Sequence, residues 1–411
     1  MSGKGVFQQL VESQQSANRQ QFRQQRIVDI KRIQEIRKRP LVVYVTSLNV
    51  PPRVTNYISH EDIVPFGEVL ESVEGDAVDV LLESPGGLSE VAQELSALLR
   101  HRFKRVGFII PHAAMSAATM LVMSGDEILM DHRSSLGPID PQFVGNDGRP
   151  QPAQAILSGI KTIKKLVDEE DGGHLHPVYI PILRNIDPGK YQMALHATEL
   201  SKRIVRDWLV EHKLAKWTTH KKSGRPVTVE ERESLAEKVA DELCTHGKWL
   251  SHTRPIKIHD LERMELEITD YGKHQELQQA IWSLWVRCHH LLSSTNTYKM
   301  YESECVDFHK LAVPVALQAG GLPLPVPPGQ RGGLQVQHGH AVVEVQCVNC
   351  KSAYKVQANF GAPQPMEPGA EPFPKDSMLT CKKCGAILDL TGLKMQLEAQ
   401  VRQPLVLEAN T

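Results

Sequence analysis

The sequence predicts an α/β domain built on a parallel sheet, followed by a small second module stapled by cysteines. Three observations predict it. Short apolar runs rich in β-branched residues (41–45, 78–82, 106–110 and 127–130) alternate with stretches whose apolar residues recur at helical spacing. Such alternation implies parallel strands joined by right-handed crossovers. Gly86 and Gly87 follow the second run, and Ser116 opens a later helix among small residues. Two CxxC pairs then lie beyond a Pro/Gly-rich stretch near the C-terminus.

The 411 residues suit two or three domains, and a hydrophobic share of 41% fills at least one large core. A formal net charge of -1 and a pI near 7.0 give no bulk electrostatic pull toward nucleic acid or a membrane surface. No apolar run reaches the roughly 18 residues of a membrane span, and residues 1–25 are polar and glutamine-rich, unlike a signal peptide. A soluble, cytoplasmic chain is expected. Seven cysteines, four of them in CxxC pairs, read as metal-ligand usage in a reducing compartment rather than a disulfide framework.

In chain order, residues 1–38 read as a polar helix rich in Gln and Arg, expected as a solvated or oligomer-contacting arm. Leu41, Val42, Val43, Tyr44 and Val45 suit a buried strand, residues 60–72 look helical, and residues 78–82 make the next strand. Leu88, Val91, Ala92, Leu95, Leu98 and Leu99 share one helical face, which can pack on a sheet. Residues 106–110 are another buried strand, and the helix opened by Ser116 carries Met120, Leu121 and Met123 before the strand at 127–130. The loop SSLGPIDPQ (134–142) is of the kind that lines sites at strand ends.

A helix with Ile156, Ile160, Ile163 and Leu166 on one face follows, interrupted by DGGHLHP at 171–177. Residues 188–212 form a long helix, KKSGRP (221–226) a turn, and Thr228 with Glu231 a capping box opening a helix to about Cys244. Another helix spans roughly 273–293. The expected domains are the arm at 1–38, a main domain at 39–295, a Pro/Gly-rich linker at 296–340, a metal module at 341–395 and a tail at 396–411. Cys347, Cys350, Cys381 and Cys384 present paired thiolates to one tetrahedral ion, so a structural Zn2+ ribbon is expected; a module this small keeps no core without its metal.

The stretch 83–125 is laid out for acyl chemistry. Such a site needs a nucleophile at a sharp turn and two backbone N–H groups aimed where the oxyanion forms. Ser116 offers the nucleophile, the Gly86–Gly87 turn one donor because its backbone can approach a substrate closely, and the N–H of Ala117 the second, aided by the helix dipole. A small residue at 116 would also permit close helix packing.

The ESPGG turn, the MSAATM helix start and the GDEILMD strand together resemble the Clp protease/crotonase superfamily. The likeness is to its signal peptide peptidase A-like group, peptidase family S49. More narrowly, MSAATMLVMSGDEILMDHRSSLGPIDPQ is similar to the serine dehydrogenase proteinase family, described as soluble relatives of signal peptide peptidase. The resemblance covers roughly residues 38–290 and implies a Clp protease/crotonase-like spiral parallel sheet with flanking helices. By it, Ser116 matches the nucleophile, and Gly87 and Ala117 match the oxyanion donors.

The general base does not carry over directly. The S49 relatives use a lysine, the Clp-type relatives a His with an Asp. Where one lysine layout opens the helix after the loop, this chain has Gln154; Lys161 lies two turns further on the same face. In another layout His174 or His176 stands near the corresponding place, and Asp140 occupies the position of the Clp-type histidine. Lys161 leads, His174, His176 and Asp140 follow, and the absence of any base stays open. Lys164 and Lys165 read as a solvated face, His112 as a wall residue or a base, and His252 and His259 as surface or packing residues.

The resemblance implies an ATP-independent serine peptidase acting on peptide or protein, assembled as a homo-oligomer, with the ribbon recruiting substrate or partner. Nucleic acid on the ribbon is not favoured. The alternatives are a catalytically silent scaffold and a crotonase-like acyl-CoA enzyme.

Overall fold

A computed structural model describes residues 19–312 apart from 52–53, 145–149, 170–173, 175, 185 and 221–222. It also describes 340–406 apart from 348–349, 351, 361, 363, 391–392, 395–396 and 399–404. The expected linker from 313 to 339, the start of the N-terminal arm and part of the DGG turn lie outside the described residues. The chain divides into two compact units, Met1–Ala312 and Val313–Thr411.

The first unit begins with helix α1 (Arg19–Arg37) and then builds a sheet of seven strands: β1 (Leu41–Thr46), β2 (Ala77–Glu83), β3 (Arg105–Ile109), β4 (Glu127–Met130), β5 (Thr269–Asp270), β6 (Thr297–Glu302) and β7 (Asp307–Leu311). Their order across the sheet is β7-β6-β1-β2-β3-β4-β5. The run from β1 to β5 is parallel, and β6 and β7 close one edge antiparallel. Helices connect and cover the strands: α2 (Ile63–Glu71), α3 (Ser89–Arg102), α4 (Ala117–Met123), α5 (Ala153–Glu169), α6 (Pro188–Trp208), α7 (Val229–Cys244) and α8 (Gln275–Ser294). Thr228 and Glu231 make the capping box that opens α7.

A strand buried on both faces should read as a continuous apolar run, and the alternation of its side chains divides that run between two cores. The row Val42, Val80, Phe108 and Ile128 packs against α2, α3, α4, α6 and α7. The alternate row, Val43, Leu81, Ile109 and Leu129, packs against α1 and α8.

Two expectations are corrected here. The N-terminal helix is not a solvated arm: Ile30 and Ile33 are fully buried, and Arg26 is buried with its Nε 2.7 Å from the buried Glu302 carboxylate. Arg37 spans Asp79 and Glu127 at 2.7 and 2.6 Å, so two arginines of α1 are committed to ion pairs with the sheet while Lys31, Arg32 and Glu35 stay exposed. The linker does not begin at 296 either, because β6 and β7 hold residues 297–311 in the sheet. Their interspersed polar residues conceal the edge strand β7 and its neighbour β6 from a run-based reading.

One buried cluster fixes the strand-like strap at residues 57–59. The Asp62 carboxylate accepts Tyr44 Oη (2.7 Å), Tyr301 Oη (2.6 Å) and the Ser59 N–H (2.9 Å), and pairs with Lys299 Nζ at 2.7 Å. Lys299 Nζ also donates to the Tyr57 carbonyl at 2.6 Å. Ile58, held between those anchors, bridges in parallel to Gly87.

The second unit holds β8 (His340–Gln346), β9 (Ala353–Phe360), β10 (Ala370–Pro372), β11 (Met378–Thr380), β12 (Ile387–Asp389) and β13 (Leu405–Val406). β8, β9 and β10 form a sheet that β13 joins, and β11 pairs with β12. The expected tail at 396–411 therefore contributes a strand. Its core includes Ala341, Val356, Ala358, Phe360, Leu379 and Leu390, beside Cys347 and Cys381.

Removing one partner of a buried ion pair leaves the other charge uncompensated, at a cost of about 3–5 kcal/mol. Asp62→Ala is expected to lower unfolding stability by about that much in urea titrations, and Tyr44→Phe, which removes one hydrogen bond to a charged group, by about 1.5–3 kcal/mol. An Asp62→Ala variant as stable as wild type would rule out this role for the cluster.

Candidate active site and cysteine cluster

The loops after β2, β3 and β4 meet at the carboxyl end of the parallel strands, where open α/β sheets commonly place their ligands. Ser116 stands at the N-cap of α4 with φ 52° and ψ -120°, a left-handed conformation that costs a non-glycine residue about 1–3 kcal/mol. Its surroundings hold it there. Met115 N donates to Ser84 O (3.0 Å), Ser84 N to Ala113 O (3.0 Å), and Ala118 N to Met115 O (2.9 Å). Thr119 Oγ1 donates to Ala114 O at 2.7 Å and accepts Gly137 N at 2.9 Å, tying the turn to the 134–142 loop. Ser116 itself is half-buried.

The glycine turn lies directly against this serine. A Cβ on Gly86 would sit 2.6 Å from Met115 O and 2.7 Å from Ser116 Cβ, and Gly86 has φ 104°. Ile58 N donates to Gly86 O (2.6 Å), and Leu88 N donates to Ile58 O (3.0 Å). In a trans peptide the C=O and the following N–H point in opposite directions. The Gly87 N–H therefore points away from Ile58 and is free of the strap. Ala117 is the first residue of α4, so its N–H has no acceptor within the helix. The arrangement can offer two backbone donors near one hydroxyl.

Of the sequence-predicted bases, the structure pairs Asp140 and His112 with charged or titratable partners and leaves Lys161, His174 and His176 exposed. Lys161 is exposed on α5, about 10 Å along the axis from Gln154. The start of α5 docks through buried Ala153, whose N–H donates to Pro141 O at 2.8 Å, and this fixes the register that keeps Lys161 two turns away. His174 and His176 are exposed, and His176 Nδ1 accepts the Val178 N–H.

His112 binds Glu83 at 2.7 Å and packs on Trp285 at 5.4 Å. The hydrogen bond to Glu83, which outweighs partial burial, raises its pKa.

Asp140 is buried, with His252 Nδ1 2.7 Å from Oδ1 and His246 Nδ1 2.9 Å from Oδ2. Gln142 Nε2 also donates to Oδ2, at 2.9 Å, and Gln154 Oε1 accepts the His246 N–H. The reading of His252 as a surface or packing residue missed this pairing. Asp140 lies 106 and 112 residues from the two histidines, and no local pattern links them. Two histidines six apart in THGKWLSH, a turn-rich stretch, were the one available hint.

In the second unit the Sγ atoms of Cys347, Cys350, Cys381 and Cys384 all lie within 4.8 Å of one another and could hold a metal ion. Cys347–Cys384 is 3.7 Å and Cys350–Cys381 3.5 Å.

Residues 14–173 match the model of a family described as ClpP-like SDH-type serine proteinase. The match includes Gly86, Gly87, Ser116, Ala117, Asp140 and Lys161; it ends before His246, His252 and the cysteines. A ClpP-like α/β fold is thereby supported over that span. Two uncharacterized proteins of Methanocaldococcus jannaschii, MJ1495 and MJ0137, are each 30% identical, over 130 and 119 residues. These matches take 31% and 29% of this chain and 41% and 39% of the relatives, so the chain covers less than half of their length.

Among solved structures, a mutant of the 1510-N membrane-bound stomatin-specific protease with a substrate peptide is 20% identical, over 28% of this chain and 56% of its own, with TM-score 0.21. An enoyl CoA isomerase from M. smegmatis is 15% identical, over 51% and 92%, with TM-score 0.20. Scores this low carry no argument about this chain. No helix among the described residues is long and apolar enough to cross a membrane.

Gly86→Ala is expected to displace the Ser116 turn and to lower stability by about 1–3 kcal/mol through strain, read in thermal or urea unfolding. Wild-type stability would contradict the close approach. A raised histidine pKa stabilises the fold fully below the unfolded value, about 6.5, and loses that contribution as pH rises through the folded value. Glu83→Gln should therefore lower the melting temperature more at pH 5.5 than at pH 8.5, about three units apart across that window. An equal loss at both would exclude the linkage.

Proposed function

With the family match over residues 14–173 as premise, we propose that this chain is a serine peptidase that cleaves peptide bonds without ATP, with Ser116 as nucleophile. The observation that supports it most is the strained Ser116 turn pressed against Gly86, with the neighbouring Gly87 N–H turned away from its strap. A serine held at positive φ at a helix N-terminus exposes its Oγ to an incoming carbonyl carbon.

As Oγ bonds to that carbon, the carbonyl oxygen takes up negative charge. The N–H groups of Gly87 and Ala117 then stabilise the oxyanion; loss of one such donor costs about 100- to 1,000-fold in rate. The strap itself, held by Asp62 and Lys299, keeps the Gly87 peptide oriented before substrate arrives. Lys161 stays a candidate base only if α5 shifts.

The four-cysteine cluster is proposed to hold a structural Zn2+. Thiolates at about 2.3 Å from a tetrahedral zinc lie roughly 3.8 Å apart, close to the 3.5 and 3.7 Å found. Four sulfur ligands leave the ion closed to substrate, so its part is to hold the second unit together, as a surface for substrate or partner. Assembly into a homo-oligomer that shelters the site belongs to the same reading, as does a cytoplasmic location.

A fluorophosphonate probe should label the wild-type chain and not Ser116→Ala, read by mass spectrometry. Labelling of Ser116→Ala at the wild-type rate ends the assignment. Absence of labelling in both favours a silent scaffold, and thioester binding with no labelling favours a crotonase-like enzyme. Replacing Cys347 and Cys350 together with serine should release about one equivalent of zinc and expose residues 340–406 to protease while residues 19–312 stay folded. Unchanged metal content rules the ribbon out.

A further inference from the structure

The Asp140 cluster is built like the orienting half of a catalytic triad, and it reaches the serine turn through the backbone. Leu136 pairs in parallel with Ala114 on one side and bridges Ile256 antiparallel on the other. The segments carrying Ser116, Asp140 and His252 therefore run side by side. Gly137 touches the residue before the serine: a Cβ there would lie 2.8 Å from Met115 Cε and 3.2 Å from Met115 Cα. Asp140 is three residues further, a span of at most about 10 Å.

We propose that His252, held by Asp140, is the general base for Ser116, with His246 as a second anchor of the same carboxylate. This rests on the serine peptidase reading and supplies the base that reading lacks. An ionised carboxylate only accepts hydrogen bonds, so both imidazoles present Nδ1–H to Asp140 and keep a lone pair on Nε2. Among the described residues His252 alone bonds Oδ1, at 2.7 Å, whereas His246 shares Oδ2 with Gln142 and has its backbone N–H bound to Gln154. An undivided carboxylate oxygen best stabilises the imidazolium formed during catalysis, and both rings are three-quarters buried, with side-chain exposures of 24%. Asp140 and His246 are thus positioning residues.

The Ser116 proton passes to His252 Nε2 as the Oγ–C bond forms and the carbonyl π pair moves onto oxygen. That proton then goes to the amide nitrogen as the C–N bond breaks and the amine leaves. Water attacks the acyl ester while giving a proton to Nε2, which returns it to Oγ as the C–Oγ bond breaks.

The test is the rate at which the full-length chain reacts with a fluorophosphonate at Ser116. His252→Gln keeps a donor toward Asp140 but has no base, and should retain the wild-type melting temperature while labelling falls about 100-fold or more. Added imidazole should restore part of the rate in His252→Ala. His246→Ala should lose less than about tenfold, and Asp140→Asn about as much as His252→Gln, since an amide misorients the ring.

A His252→Gln variant that labels at the wild-type rate overturns the proposal, as does His252→Ala that imidazole leaves unrescued with the fold intact. A wild-type chain that reacts nowhere instead sinks the peptidase reading, and this base with it.

Discussion

The buried Asp62 carboxylate is the constraint on which the geometry of the site depends. Lys299 is fully buried beside it, and desolvation pushes the lysine pKa down while Asp62 opposes that shift. Two charges in a water-free interior persist only when paired and fully hydrogen-bonded, and here two tyrosine hydroxyls and the Ser59 N–H complete the set. The cluster draws donors from β1, β6 and the strap at 57–59, so it fixes these elements relative to one another. Because Ile58 takes the Gly86 carbonyl, it determines which way the next N–H points. A backbone donor within the candidate oxyanion site is thus oriented by a salt bridge that does not touch it.

The sheet supplies the rest of the framework. Parallel strands β2, β3 and β4 release their loops at one end, and these loops bring Ser84, Ser116 and Asp140 into one neighbourhood through short backbone pairings. The Ser116 turn stores strain that the hydrogen bonds of Met115, Ala118 and Thr119 hold in place. Small residues matter there for distance, since Gly86 and Gly137 meet Met115 and Ser116 with no room for a side chain.

Several polar residues elsewhere in the fold are buried in ion pairs. Arg26 and Glu302, Arg37 with Asp79 and Glu127, and Arg287 with Asp29 tie α1 to strands β6, β2 and β4 and to α8. Ile30, Ile33 and Ile36 form the apolar stripe by which α1 docks on the second core.

The sequence by itself determined what local pattern encodes. The apolar runs 41–45, 78–82 and 106–110 became central strands because strands covered on both faces have no polar side. The diglycine and Ser116 marked a close turn because bulkier residues clash there, and CxxC spacing marked two thiol pairs that the fold of the second unit brings together. Tertiary structure alone decided which remote groups share a charge. The docking of α1, the antiparallel strands β6 and β7, and the pairing of Asp140 with His246 and His252 depend on contacts across scores to hundreds of residues. Periodicity reports only which face of an element is buried, and the partner of a buried charge exists only once the sheet has assembled around it.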